Sequence, residues 1–231
     1  MMRRVFILLV VFLFGLVFLN VAVGYEELQS LRPLARHYVA QGPVELGVPN
    51  IVTAILITYR GFDTLGEVAV LFMVAASVGL LLKKNEGDRN TAEKPISERK
   101  AGEIVITGAA VLMPFIFTFG AYVIVNGHLS AGGGFQGGAI VASGVMLLLL
   151  ARPESELNIS MLSIIESLAG AFYILIGVSG IILAGGFLDG RFLPLGEFGA
   201  FISAGAVPLI SALIGIKVGA ELSVILSSFK S

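Results

Sequence analysis

The chain has 231 residues, of which 56% are hydrophobic and 13% are charged, and its formal net charge is −1. Because soluble domains carry about 25% charged residues, this composition excludes an ordinary soluble domain and predicts an integral protein of the lipid bilayer. The near-neutral charge, without a compact basic patch, argues against a nucleic-acid partner.

The first predicted span covers residues 5–23, directly after Met-Met-Arg-Arg. A spanning helix needs about 20 mostly apolar residues, and this run exceeds the apolar core of about 7–15 residues in a signal peptide. We therefore expect the helix to be retained. Cleavage is the alternative, since the small residues Ala22 and Gly24 stand at plausible cleavage positions.

A polar stretch, residues 24–45, separates the first span from a second apolar region. Within that region residues 51–59 are too few to cross a bilayer, whereas residues 62–82 are long enough. The pattern predicts a short interfacial or re-entrant helix, with Asn50 as its N-cap, followed by the second span.

Residues 83–103 mix charges of both signs with Asn, Thr, Pro and Ser, which is typical of a linker. Beyond it we expect a loop at residues 185–196 and four more spans, at residues 104–125, 139–150, 161–183 and 198–218. The 139–150 run needs part of the preceding glycine segment to reach full length. The predicted fold class is all-α, a polytopic membrane protein with about six transmembrane helices and one short helix.

Six spans place both termini on one side of the membrane, and the basic residues indicate which side. The side that holds the termini and the linker carries Arg3, Arg4, Lys83, Lys84, Arg89, Lys94, Arg99, Lys100, Arg152, Lys217 and Lys230. The opposite side carries Arg32, Arg36 and Arg191. The positive-inside rule therefore predicts cytoplasmic termini in a multi-pass protein of the cytoplasmic membrane.

A glycine-rich stretch, Gly127 to Gly138, lies between two apolar runs toward the predicted outer half of the membrane. Its centre consists of Gly132, Gly133, Gly134, Phe135, Gln136, Gly137 and Gly138. Non-helical backbone at membrane depth survives only where protein or a water-filled cavity covers it. The segment therefore predicts a helix break, used either for an ion site on broken helices or for close packing through small residues.

Arg60, Asp63 and Glu67 are the first candidates for an ion path. Asp63 and Glu67 are four residues apart and therefore share one helix face. Ionisable groups inside a membrane cost at least about 2.5 kcal/mol each, so three together should be paired or hydrated. They form either a relay for protons or cations, or a static pair in which Arg60 neutralises an acid.

Four further ionisable residues are weaker candidates. Glu166 lies little more than one turn inside its predicted span, so it is either a helix-end acid that reaches water or a half-membrane site. Lys217 and Glu221, four residues apart, are expected to anchor the cytoplasmic end of the last span, with a relay as the alternative. His128 titrates near neutral pH and is either a proton shuttle at the outer mouth or a solvated loop residue.

The residue types that are absent limit the chemistry. Without cysteine the chain has no thiolate ligands for an iron–sulfur cluster, and two histidines are too few to expect bis-histidine haem ligation. No nucleophile–base pair or metal cluster is visible. We expect neither a cofactor nor catalysis in this chain, and any redox chemistry in a partner.

Two stretches resemble Mrp-type multisubunit sodium/proton antiporters. NGHLSAGGGFQGGAIVAS, residues 126–143, is similar to the glycine motif of the B-type subunit, although Ala131 replaces the proline usual in the family. NIVTAILITYRGFDTLGEVAVL, residues 50–71, is similar to the end of the large A-type subunit, where the acidic segment is expected near a cation path. The resemblance implies a two-span unit at residues 1–82, a cytoplasmic linker at 83–103 and a four-span unit at 104–231.

The same two pieces resemble subunits of archaeal respiratory complexes, namely membrane-bound hydrogenases, sulfane reductases and formate hydrogenlyases. Their fusion, and the hydrogenase-like IGIKVGAELSVIL near the end, favour such a complex. This resemblance implies a non-catalytic subunit that contributes to sodium/proton exchange beside other antiporter-like membrane subunits and a peripheral redox module. Membership of a free-standing antiporter, a purely structural role and a small independent transporter remain the alternatives.

Overall fold

A computed structural model describes residues 2–25, 29–86 and 101–229, and every regular element within these ranges is helical. Six of the helices described are long and apolar enough to cross a membrane. They are α1 (Met2–Val23), α4 (Gly61–Glu86), α5 (Glu103–Val125), α6 (Gly134–Ala151), α7 (Ile159–Ala184) and α8 (Val207–Ser228). The prediction of an all-α membrane protein is confirmed. Most of the predicted linker, residues 87–100, lies outside the described residues.

Two shorter helices occupy the region between α1 and α4. Helix α2 (Pro33–Leu46) forms within the stretch predicted only as polar, and α3 (Ile51–Ala54) continues into a π-helical turn, Ile55–Tyr59. The chain bends by 90° between Pro33–Leu46 and Ile51–Tyr59. Asn50 caps α3 as predicted, because its side chain accepts from the backbone N–H groups of the first turn.

The chain forms two compact units, Met1–Arg36 and His37–Ser231. The first unit contains α1, whose side chains are almost all apolar and exposed. In the second unit α8 is the central helix and packs against α4, α6 and α7. Small residues allow this, since a Cβ added at Gly138 of α6 would lie 2.7 Å from the carbonyl oxygen of Gly215 in α8.

The last span is displaced from its predicted position. The prediction of 198–218 is wrong, because the helix runs over Val207–Ser228. Residues 193–206 are instead irregular, with left-handed backbone at Ala204 (φ 66°) and Gly205 (φ 59°). Pro208 lies in the first helical turn, where its missing N–H costs nothing. The predicted loop at 185–196 therefore extends to residue 206, with a short 3₁₀ turn at Gly190–Phe192.

Candidate functional site

Asn50 connects the short helix α3 to the loop that precedes the glycine segment. Its side-chain amide donates to the carbonyl oxygens of Gly127 (2.9 Å) and Ser130 (2.6 Å). Thr53 Oγ1 donates to the same Gly127 oxygen at 2.6 Å, and the backbone N–H of Asn50 donates to the carbonyl of His128 at 3.1 Å. These bonds satisfy loop carbonyls away from water and hold the two sequence motifs together.

The helix break predicted from the glycine segment lies directly before α6. Gly132 (φ 130°) and Gly133 (φ 151°) have positive φ values, and Gly134 begins the helix. A Cβ at Gly132 would lie 2.7 Å from Val123 Cγ1, so backbone conformation and space both require glycine there. The segment therefore supplies the predicted break together with close packing, and the ion site on broken helices stays a prediction.

A cavity of about 320 Å³ lies between the two motifs. Its walls come from α3, the π-helical turn, α4, the glycine segment and α8. The lining residues are Val52, Thr53, Leu56, Ile57, Thr64, Glu67, Gly132, Gly133, Gly134, Phe135, Gln136 and Ile214. Glu67 is the ionisable residue of this lining, so the cavity presents one carboxylate together with hydroxyl, amide and backbone groups.

The three candidates at the start of α4 have different environments. Arg60 and Asp63 form an ion pair with each other at an exposed position. Glu67 lies one turn further along, takes no part in the ion pairs of the described residues, and lines the cavity with an exposed side chain. Thr64 Oγ1 donates to the carbonyl of Leu56 at 2.7 Å and ties this turn to the π-helical segment. Glu67 is thus the acid of this group that lines the cavity, whereas Asp63 is paired with Arg60.

Lys217, Glu166 and Glu221 form a buried cluster between α7 and α8. Lys217 Nζ lies 3.0 Å from Glu166 Oε1 and 2.8 Å from Glu221 Oε2. The expected role of Lys217 and Glu221 as an anchor at the end of the last span is wrong, because that helix ends at Ser228. Both residues consequently lie inside the helix packing, and Glu166 reaches Lys217 instead of water.

His128 is fully buried, which contradicts its interpretation as a solvated loop residue. Neither ring nitrogen makes a hydrogen bond within the part of the chain that the structure describes. Burial lowers the pKa of His128. This effect is larger than the opposite effect of the backbone groups of Phe201, Ala200 and Val125, which raise the pKa. A buried neutral imidazole is therefore expected near pH 7.

A polar network that sequence analysis missed joins α2 to the loop after α7. Arg191 pairs with Asp189 at 2.6 Å and with Glu45 at 3.4 Å, and Tyr59 donates to Glu45 at 2.6 Å. The hydrogen bonds that the Arg191 guanidinium donates to the Asp189 carboxylate raise the pKa of Arg191, which stays charged. Glu45 and Arg191 are 146 residues apart, so no local pattern could reveal their contact.

The buried hydroxyl of Tyr173 was also missed. Its oxygen has no hydrogen-bond partner among the described residues, and Glu67 is an electrostatic neighbour. Among those residues there is also no group of three or more His, Cys, Asp or Glu side chains that could hold a metal ion.

Two family models match consecutive parts of the chain. Residues 104–224 match the domain related to the MnhB subunit of the Na⁺/H⁺ antiporter, and residues 2–99 match the family MbhE, a subunit of MBH. Among curated proteins, the B-type subunit of the Na⁺/H⁺ antiporter of Bacillus subtilis is 33% identical over 90 residues. That match covers 38% of this chain and 57% of the relative.

Solved structures resemble almost the whole chain. One chain of the membrane-bound sulfane sulfur reductase, an archaeal respiratory membrane complex, superposes with a TM-score of 0.83 and 33% identity. That match covers 99% of this chain and 98% of the other. One chain of the Mrp complex from Dietzia sp. DQ12-45-1b has the same fold, with a TM-score of 0.78 at 20% identity. That match covers 99% of this chain and 26% of the other.

Proposed function

The chain belongs to the family of membrane domains related to the MnhB subunit of Na⁺/H⁺ antiporters, and we propose that it contributes to sodium/proton exchange as a non-catalytic subunit. It is a multi-pass membrane protein of the Mrp-like module found in respiratory complexes, where other antiporter-like subunits are its partners. In this proposal a hydrogenase-like or sulfane reductase-like assembly drives the exchange through a redox module carried by other chains.

The cavity between the two motifs is the observation that carries the proposal. A cation that leaves water needs oxygen ligands, and Glu67 supplies a carboxylate beside the hydroxyls, amide and exposed backbone of the cavity wall. An acid on a membrane helix costs several kcal/mol unless it is paired or hydrated, which makes Glu67 a functional candidate. In this proposal Asp63 adds negative charge beside the route of the ion, and Arg60 balances the charge of Asp63.

The proposal also assigns a role to each part of the chain and an orientation in the membrane. Residues 1–82 form the unit related to the end of the A-type subunit, residues 83–103 the linker, and residues 104–231 the unit related to the B-type subunit. Both termini lie on the cytoplasmic side of the cytoplasmic membrane, as the distribution of arginine and lysine favours. Sodium ions and protons are the transported species.

Replacing Glu67 with Gln tests the proposed role, because the amide keeps the shape of the side chain and removes its charge. We expect sodium-dependent transport by the complex in sealed vesicles to fall about tenfold, which corresponds to about 1.4 kcal/mol, while the complex still assembles. Glu197→Gln, in the exposed loop before α8, is the matched control and should retain transport. Normal transport by Glu67→Gln would leave a structural role as the better account.

A further inference from the structure

A buried group of three charges lies apart from the Glu67 cavity, on α7 and α8. The side chains of Lys217, Glu166 and Glu221 are 8%, 12% and 0% exposed. Lys217 lies ten residues after Val207 and eleven before Ser228, which is about 15 Å from each end of α8. Since the hydrocarbon core of a bilayer is about 30 Å thick, the ammonium group lies near the middle of this helix's path across it.

The charges of this cluster do not balance. One lysine and two glutamates, all ionised, leave one net negative charge in a buried place, and an uncompensated buried charge is strongly destabilising. Glu221 Oε2 accepts from Lys217, but Glu221 Oε1 is buried and has no hydrogen-bond partner within the described residues. One additional proton on the cluster makes it neutral.

The geometry favours a proton over a metal cation as the ligand. Hard cations are held by several oxygen ligands that converge on one position. Here the ammonium of Lys217 already occupies the position between the two carboxylates, at 3.0 and 2.8 Å. The Phe72 ring of α4, whose centroid lies 5.7 Å from Nζ, adds a cation–π contact to the ammonium.

The remaining ionisable side chains that the structure describes on the helices around α8 do not replace that proton. Helix α6 contains no ionisable residue, and Glu103 and Tyr122 of α5 are exposed. On α4, Asp63 is paired with Arg60, and Glu67 lines the cavity. Tyr173 of α7 is neutral as a phenol near pH 7 and adds no charge.

We propose that Glu166, Lys217 and Glu221 form a proton-binding site that holds one exchangeable proton, with Glu221 as its carrier. Loading forms one O–H bond on the Glu221 carboxylate and breaks one in the hydronium ion or carboxylic acid that delivers the proton. Unloading reverses the step. Glu166, the more exposed acid, lies on the side from which the proton enters. The site deepens the proposed function. Proton binding itself follows from the cluster, and only the use of that proton in sodium/proton exchange rests on the proposed function.

Infrared difference spectra of the intact complex, recorded against pH in H₂O and D₂O, test the site directly. A protonated buried carboxyl group gives a C=O band that appears with acid and shifts in D₂O. We expect Glu221→Gln to abolish this band, while Ser223→Ala, which removes a buried hydroxyl from the same helix, retains it. An unchanged band in Glu221→Gln overturns the proposal, as does a wild-type complex without such a band.

A second variant covers the case in which Glu221→Gln does not assemble. Glu166→Gln removes the neighbouring negative charge and should change the pH at which the band appears, whereas an unchanged titration contradicts the site. Glu67→Gln should leave the band in place even if it abolishes sodium-dependent transport. Failure of the cavity proposal and failure of the proton site are therefore distinguishable.

Discussion

Single side chains connect segments that are distant in the sequence, and Asn50 is the clearest case. It caps α3 and also reaches the carbonyls of Gly127 and Ser130, 77 and 80 residues further along the chain. The cap could be predicted because Asn precedes an apolar run. Its two long-range bonds could not, because they depend on how the glycine segment approaches α3.

Replacing Asn50 with Ala should destabilise the protein more than an ordinary loss of a cap. The cap itself is worth about 1 kcal/mol, and the Ser130 carbonyl that loses its donor adds about 1–3 kcal/mol, whereas the Gly127 carbonyl keeps the hydrogen bond from Thr53 Oγ1. The control is Asn158→Ala at the start of α7, where the side chain accepts from Met161 N and, among the described residues, makes no bond to a distant loop. Thermal unfolding of the purified complex measures both, and equal effects would show that the bonds to the loop contribute nothing.

His128 predicts how stability depends on pH. Because its folded-state pKa lies below the ordinary value of about 6.5, the folded state binds fewer protons there than the unfolded state. The contribution of neutral His128 to the free energy of unfolding should therefore be fully present above about pH 6.5. It should decrease as the pH falls through that value toward the folded-state pKa. Melting temperatures measured between about pH 7.5 and about pH 5.5 check this expectation.

Two variants test whether His128 causes the decrease in melting temperature on acidification. His128→Leu should show a smaller decrease in melting temperature on acidification than the wild type. His37, whose side chain is 50% exposed beside Glu45, is the control, and His37→Leu should retain a decrease at least as large as the wild type. If His128→Leu keeps the full decrease, other groups cause it.

At the scale of elements, glycine positions determine how closely the helices approach. The packing of α6 against α8 depends on Gly134 and Gly138, whose added Cβ atoms would meet the backbone of α8 at Ser211 and Gly215. The close approach is what encloses the cavity on the α8 side, at Ile214. Glycine in a helix costs up to about 1 kcal/mol relative to alanine, and the packing between membrane helices compensates for it.

Gly138→Ala should destabilise the α6–α8 pair by about 1–3 kcal/mol, because the new methyl group would force the helices apart. Gly108→Ala in α5 is the matched control, since nothing lies within 4 Å of its added Cβ. That control should be neutral or slightly stabilising because alanine is the better helix former. Thermal stability of the complex and recovery of assembled protein measure the difference, and an equal response of the two variants would contradict the packing argument.

At the scale of the whole molecule, the alternation of spans and loops decides which residues share a side of the membrane. The loop at residues 152–158 and the loop at 185–206 lie at opposite ends of α7, which is 26 residues and about 39 Å long. This length exceeds the hydrocarbon thickness of about 30 Å, so the two loops face opposite aqueous phases.

Cysteine labelling can determine the orientation, because this chain has no cysteine of its own and each introduced cysteine is its single labelling site. We expect Phe198→Cys to react with a membrane-impermeant maleimide added outside intact cells, and Glu154→Cys to react only after the membrane is opened. The reason is the excess of arginine and lysine on the side of residue 154. The reverse pattern would place both termini outside and overturn the proposed topology.

The sequence alone determined the membrane class, the positions of five spanning helices, the cap at Asn50 and the break before α6, because hydrophobicity, capping and glycine content are local properties. It misplaced the last helix, since residues 198–206 are as apolar as a span although they form an irregular loop. Only the tertiary structure decided that Glu166 and Lys217, 51 residues apart, meet in one buried cluster. Such a contact depends on the register of α7 against α8, which no periodicity within either helix specifies.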